Sequence, residues 1–575
     1  MNLLDWLVLL GTIVGIAAYG TWRTRHTSSL NTYLKGNQNT GWITIGLSVM
    51  ATQASTITYL SLPGQAYENG IAFIQNYFGL PLALIIVCAV FLPIYRKLGV
   101  YTAYEYLGQR FDSKTRLLGA SLFLVQRGLQ AGITIYAPAI ILSTVLGWRL
   151  DLTILFTGLL VIVYTVTGGS AAVNLTQRCQ MAVIFVGMIT AFFVLLSKLP
   201  NGAVHLAGAM GKLQAVDFTP DLKKRYTLWS GLLGGIFLSL SYFGTDQTQV
   251  QRYIGGAALR EGRLGLMFNA LFKIPMQFFI VMLGALLFVF YQFQPDTPVF
   301  FNQTEWNRHE EGTNGDRFRT IDQQFAIIQV DKQKKIQAWM AARTGGEPAT
   351  EASTRSAMLT AQKASEALRQ EARDTLRAVD PKAKTKDSDY VFIRFILTQL
   401  PHGMIGLLIA VMFASALSSK ASELNALGTT TTIDIWRHLR PTEAHNESRN
   451  VRQAKWFTTL WGMFAIGFAM LVSFAENLIE SLNIVASIFY PALLGVFVVA
   501  FFLKKVGGSA VFWAAITSQL FVVTIFFVGK LFPAHEIGYL WLNPIGCTAC
   551  VVLSWLFQSL PGSSTRRPIA GSTTE

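Results

Sequence analysis

ASALSSKASELNALGTTTTIDIW, residues 414–436, sets four serines, a lysine and a glutamate inside a stretch long enough and otherwise apolar enough to cross a bilayer. Positions 415, 418, 419 and 422 share one helical face. Uncharged hydroxyl oxygens suit weak, exchangeable binding of a hard monovalent cation. A serine-rich face is equally common as packing glue between membrane helices, so on these residues alone both readings stay open. A cation would need further oxygens, and in a membrane the usual source of free carbonyls is an unwound helix. The run ATQASTITYLSLPG (51–64) is the candidate, being polar and carrying a Pro63–Gly64 pair able to break it.

Outward from these two stretches, the chain reads as an all-α polytopic membrane protein. Its 575 residues are 52% hydrophobic and only 14% charged, too apolar for a soluble protein of this size. Apolar runs recur along nearly its whole length, giving about 13 transmembrane helices. The ninth (392–433) is too long for one straight span, so it either bends or continues past the bilayer. With helical periodicity throughout, an outer-membrane barrel is excluded. MNLLDWLVLL at the start lacks a basic region and reads as a first span rather than a cleaved signal.

The net charge of +15 raises nucleic acid as a partner, but the location of the charge answers that. Connections on one side hold 21 basic residues, from Arg23 to Arg567, against seven in the short connections on the other. The positive-inside rule puts the N-terminus outside and the C-terminus in the cytoplasm of a plasma-membrane protein. The expected organisation is spans one to eight in 1–291, an extracytoplasmic polar insert at 292–390, spans nine to thirteen in 391–560 and a cytoplasmic tail at 561–575. The insert holds 15 basic and 15 acidic residues, and 352–379 looks helical. It reads as a solvated helical hairpin or partly disordered insert, with a docking surface for an extracytoplasmic partner as the alternative. Cys88, Cys179, Cys547 and Cys550 read as small membrane residues, since no second Cys or His pair answers the Cys547–Cys550 spacing.

Four charges sit within spans: Arg127, Lys273, Lys420 and Glu423. Such groups are costly and are usually functional. Arg127 falls near mid-bilayer and cannot escape by deprotonation, so it requires a carboxylate, carbonyls, water or an anionic ligand. Lys420 and Glu423 are three apart and able to neutralise each other. Asp246 lies near the inner end of the seventh span. The seven histidines are scattered, and no nucleophile–base pair or metal set argues for an enzyme.

TQASTITYLSLPGQAYENG, GVYTAYEYLGQRF, IYAPAIILSTVLGW, VYTVTGGSAAV, LSLSYFGTDQTQVQRYI and ASALSSKASELNALGTTTTIDIW occur in that order. Together they resemble the sodium:solute symporter family across nearly all spans except the insert. The motifs look most similar to the branch holding the sodium/iodide, multivitamin and monocarboxylate symporters, with features of the sodium/glucose branch in GTDQTQVQR and Lys273. The resemblance implies a LeuT-type core of two inverted five-helix repeats with alternating access around a midplane site. It implies a sodium site made by the carbonyls of Ala51 and Ala54 and the hydroxyls of Ser415, Ser418 and Ser419. It also implies substrate contacts from Gln53, Thr58, Gln75, Arg127, Tyr242, Phe243, Lys273 and Asn483, with Tyr242 as an inner aromatic gate. Where some members carry an aspartate for a second sodium, this chain has Gln177, and a companion hydroxyl position holds Ala421. One coupled sodium is therefore expected, with Na⁺ as coupling ion, no cofactor and no transition metal. The implied function is sodium-coupled import of a small polar organic solute, with Arg127 favouring an organic acid over a sugar or polyol. A symporter-like sensor and a proton-coupled transporter are the alternatives.

Overall fold

The computed structural model describes residues 1–24, 41–53, 55–100, 102–254, 258–294, 296–312, 315–381, 383–440, 447–471 and 477–560, whose regular structure is all helical, with no strand among them. Nine helices among them are long and apolar enough to cross a membrane, and Leu3–Gly15, Leu150–Val166 and Ser230–Gly244 are shorter apolar helices. Ala54 and the tail at 561–575 lie outside the described residues, as does the side chain of Gln177.

The chain opens with α1 (Leu3–Thr24), then α2 (Trp42–Gln53) and α3 (Thr56–Asn69). Between α2 and α3, Ser55 is extended at φ −72° and ψ 174°, which interrupts the helix. This corrects the break expected at Pro63–Gly64: α3 runs straight through both residues. Pro63 removes one backbone donor, which a helix held by tertiary contacts tolerates. Gly64 serves close approach instead, because a Cβ there would lie 1.9 Å from the carbonyl oxygen of Ser388.

After α3 come α4 (80–98), α5 (Ser113–Leu146) and α6 (Leu150–Ser197). Asp112 caps α5 by accepting from the Thr115 amide at 2.8 Å. One helical run, α6, holds both the fifth and the sixth expected spans.

A second interrupted helix follows, α7 (Gly235–Gly244) and α8 (Gln247–Ile254). Asp246 stands in the gap and caps α8, its Oδ1 accepting from the Thr248 amide at 2.8 Å. Then come α9 (Leu259–Phe293), the insert helices α10 (Gln303–Glu310), α11 (Gly315–Gly345) and α12 (Pro348–Val379), and α13 (Val391–Gln399). The order continues with α14 (Met404–Thr430), α15 (Glu447–Leu471), α16 (Leu478–Phe502), α17 (Gly508–Leu531) and α18 (Leu542–Ser559). The long ninth span is thus resolved as a bend. Pro401 and Gly403, the latter at φ +87°, separate α13 from α14, and the Gly403 amide donates to Asp5 Oδ1 at 2.6 Å.

Each interrupted helix heads a run of further apolar helices: α4, α5 and α6 after the first, and α9, α14, α15 and α16 after the second. α14 is buried along almost its whole length and packs on α6, α1, α5 and α15, while α9 packs on α2 and α3.

The insert is an ordered hairpin. Trp306, Phe318, Phe325, Leu368 and Leu376 form its own apolar core. Further along, Ile336, Trp339 and Met358 pack on Leu206, Phe288 and Val289, which seats the hairpin on the short helix Ala203–Ala209 and the end of α9.

Candidate functional site

Where α2 stops, its last carbonyls lose their intrahelical donors. A cavity of about 120 Å³ lies beside this break. Thr52 and Gln53 reach it from α2, Thr58 from α3, Arg127 and Gln130 from α5, and Ser239 and Tyr242 from α7; Glu423 comes from α14 and Asn483 and Tyr490 from α16. Both interrupted helices therefore supply lining, and the walls mix amides, hydroxyls and aromatic rings as ligand sites do. Of the expected substrate contacts, the structure brings together Gln53, Thr58, Arg127, Tyr242 and Asn483.

Arg127 is held from behind. Its Nη2 forms an ion pair with Asp246 Oδ2 and donates to Tyr490 Oη at 3.1 Å, while Tyr490 Oη donates to the same Asp246 oxygen at 2.6 Å. Its Nη1 lies 3.6 Å from Glu423 Oε1. Glu423 in turn pairs with Lys420 and accepts from Thr134 Oγ1 at 3.1 Å. Two cations thus meet two carboxylates, and the cluster is neutral. The cap of α8 is what turns Asp246 inward, one oxygen on the Thr248 amide and the other on Arg127. Arg127 both lines the cavity and is already paired, so it is not a free anion receptor.

The serine face of α14 lies one turn from the break. Thr56 Oγ1 donates to the Met412 carbonyl at 2.5 Å, which ties the start of α3 to the turn before Ser415. Ser415, Ser418 and Ser419 are all buried, and so is Ala51 in the last turn of α2. Ser418 Oγ donates to Gln180 Oε1 at 2.8 Å, and Ser419 Oγ has no protein partner among the described residues. Arg252 of α8 reaches Ser48 of α2 and donates to Ser422 Oγ of α14 at 2.6 Å.

Three expected contacts stand elsewhere. Gln75 is a pin: its Nε2 donates to the carbonyls of Ala72 and Tyr226, both at 3.2 Å, and its Oε1 accepts from the Asp217 amide at 3.0 Å. The adjacent Asn76 and Tyr77 line the cavity in its place. Phe243 is wholly buried and backs Tyr242 edge-on, with ring centroids 5.0 Å apart. Lys273 is also wholly buried, has no hydrogen-bond partner among the described residues and lies 5.8 Å from the Tyr77 ring. It is one ring removed from the cavity. Sequence reasoning passed over Tyr490, an aromatic residue within an apolar span that carries no local signal. It placed Asp246 without its role, although the D-x-T spacing is a helix-cap signature.

Comparison with known proteins gives the family and the fold. The family described as "Sodium:solute symporter family" matches residues 33–299 and 374–518. The human sodium/iodide cotransporter is 32% identical over 284 residues, 49% of this chain and 43% of that protein. The human sodium-coupled monocarboxylate transporter 1 is 33% identical over 272 residues, 46% of this chain and 44% of that protein. The chain thus spans under half the length of these relatives. The solved structure of a Na⁺-coupled sialic acid symporter, in a substrate-bound outward-open state, shares the fold at a TM-score of 0.71, with 21% identity and coverage of 97% of this chain and 98% of that one. The chain is a multi-pass membrane protein that belongs to the sodium:solute symporter family.

Proposed function

We propose that this protein couples inward movement of sodium to the import of a small polar solute, by alternating access around the cavity at the α2–α3 break. The observation that carries the proposal is the joint lining of one cavity by both interrupted helices, next to a buried hydroxyl face one turn from the break. Sodium is a substrate here. Its ligands are the carbonyls of Ala51 and Ala54 and the hydroxyls of Ser415, Ser418 and Ser419, and its binding bridges α2 to α14. That bridge favours the outward-open state and assembles the solute site. Gln53, Thr58 and Asn483 then supply hydrogen bonds to the solute, and Tyr242 closes beneath it. Coupling requires that the two ligands bind better together, typically by about 1–3 kcal/mol. The membrane potential adds roughly 2.3 kcal/mol per charge per 100 mV.

On the solute, the structure changes the balance of the sequence argument. The acid reading leaned on Arg127, whose charge Asp246 and Glu423 already neutralise. A hydrogen-bonding solute of low net charge fits the amide and hydroxyl lining as well as an organic acid does. A cavity of about 120 Å³ has room for roughly ten water-sized positions, which suits a small organic solute. Proton coupling is the second reading, and it has an observation of its own in the carboxylate of Glu423, which lines the cavity beside Lys420.

The test is thermal-shift screening of the purified protein against sugars and organic acids, in NaCl or equimolar choline chloride. One solute is expected to stabilise the protein only in sodium, and Ser418→Ala is expected to abolish that effect. Identical behaviour in sodium and choline for every solute would overturn sodium coupling and bring the proton reading forward.

A further inference from the structure

A second cavity, of about 310 Å³, lies where the hairpin of α11 and α12 meets the end of α3 and the end of α9. The family match leaves out residues 300–373, between its two matched stretches, and Lys332, Ser365 and Arg369 of this cavity fall in that gap. Five basic residues and three acidic ones line it. The acidic groups are largely spoken for. Glu68 accepts from Arg373 at 3.1 Å and from Lys386 at 2.9 Å, and Asp387 accepts from the Phe301 amide and lies 3.5 Å from Arg373.

Lys332 and Arg369 form no salt bridge among the described residues; Glu366, the third acidic group of the lining, acts on Lys332 and Asp387 on Arg369 only at longer range. Lys332 is 3% exposed, and its one hydrogen bond among the described residues is to Ser365 Oγ at 3.2 Å. Arg369 spends its guanidinium on the carbonyls of Val299 and Pro298, at 2.9 and 2.8 Å. Ser388 and Gln292 also belong to the lining, and their Oγ and Oε1 have no hydrogen-bond partner among the described residues. A buried ammonium with no carboxylate in salt-bridge contact is costly. Burial, with Arg369 adding to it, pushes Lys332 down to about 7. A void left by imperfect docking of the hairpin gives no reason for five cations to gather against three carboxylates in its lining.

We propose that this cavity binds a small oxyanion, carboxylate- or phosphate-bearing, which Lys332 and Ser365 hold with Arg369 behind them, and which clamps the hairpin to the end of α3. Its volume falls within the range of small-molecule sites. The clamp concerns the same helix that lines the central cavity through Thr58. Even so, binding here needs neither sodium nor the transported solute, so the proposal stands apart from the transport reading.

The experiment is a thermal-shift titration of the purified full chain with sodium phosphate and, separately, sodium acetate. Sodium and ionic strength are held constant with NaCl, at about pH 6.5, where Lys332 is largely protonated. A saturable rise in midpoint on the order of 3 °C is expected with at least one anion. It is expected to vanish in Lys332→Met and in Ser365→Leu, the second of which fills the cavity without removing a charge. If Lys332→Met fails to fold, Ser365→Leu alone decides. A response to phosphate alone or to acetate alone identifies the class of ligand. No rise in the wild type, or the same rise in the folded variants, would overturn the site.

Discussion

Arg127 shows how a charge at mid-membrane becomes tolerable. It is neutralised by Asp246 and by Glu423, and Tyr490 donates to Asp246 from the same side. Removing one member of such a buried set leaves an uncompensated charge, which costs about 3–5 kcal/mol. Asp246→Asn is therefore expected to lower the unfolding midpoint sharply, and Tyr490→Phe less, because the two hydrogen bonds it deletes are worth about 1 kcal/mol each and no charge is stranded. Denaturant or thermal unfolding of the two variants checks the ranking, and equal losses would contradict it. Ser418 carries the second prediction at this scale. Ser418→Ala is expected to weaken sodium binding tenfold or more, read as the sodium concentration that half-saturates stabilisation. A packing role alone would lower the midpoint and leave that concentration unchanged.

Among elements, α3 and the hairpin are the informative ones. α3 passes Ser388 so closely that Gly64→Ala would put a methyl 1.9 Å from a backbone oxygen. That variant should destabilise the protein or displace α3, with the loss visible as a lower midpoint and weaker solute-dependent stabilisation. The hairpin carries a pH dependence. Folded Lys332 titrates near 7, chiefly through burial and the facing Arg369, with Glu366 pulling the other way. Its unfolded value is about 10.4. Between these values the unfolded chain holds the extra proton, so stability rises as the pH increases from about 7 towards 10. Lys212, pushed down to about 8 by burial, adds in the same sense. Lys332→Met should flatten part of this slope and, without oxyanion, raise the midpoint at pH 7. A midpoint profile from pH 6 to about 9.5 measures it.

For the molecule as a whole, alternating access needs a contact that yields when the two repeats move. Arg252 is placed for this, since it links α8 to α2 through Ser48 and to α14 through Ser422. Weakening that link is expected to populate the inward-open state. A ligand selecting the other state then binds with an apparent affinity reduced by the lost population. Arg252→Gln should therefore raise the sodium concentration for half-maximal stabilisation several-fold while every sodium ligand stays in place. An unchanged concentration would remove Arg252 from the switch.

How much of this was legible beforehand follows from the range of the forces involved. Hydropathy and the basic excess on one side are local properties that the bilayer reads segment by segment, so the sequence determined a helical, membrane-spanning chain. Its ordered motifs determined the family. The hydroxyl face of α14 was visible because helical spacing alone puts 415, 418, 419 and 422 together. Only the tertiary structure decided that α3 survives Pro63–Gly64, since neighbouring helices compensate for the lost donor. It also showed Gln75 as a loop pin, and it turned Asp246 and Tyr490 onto Arg127 across more than a hundred residues of chain. Pairings at that separation depend on how helices pack, and no local pattern of residues encodes them.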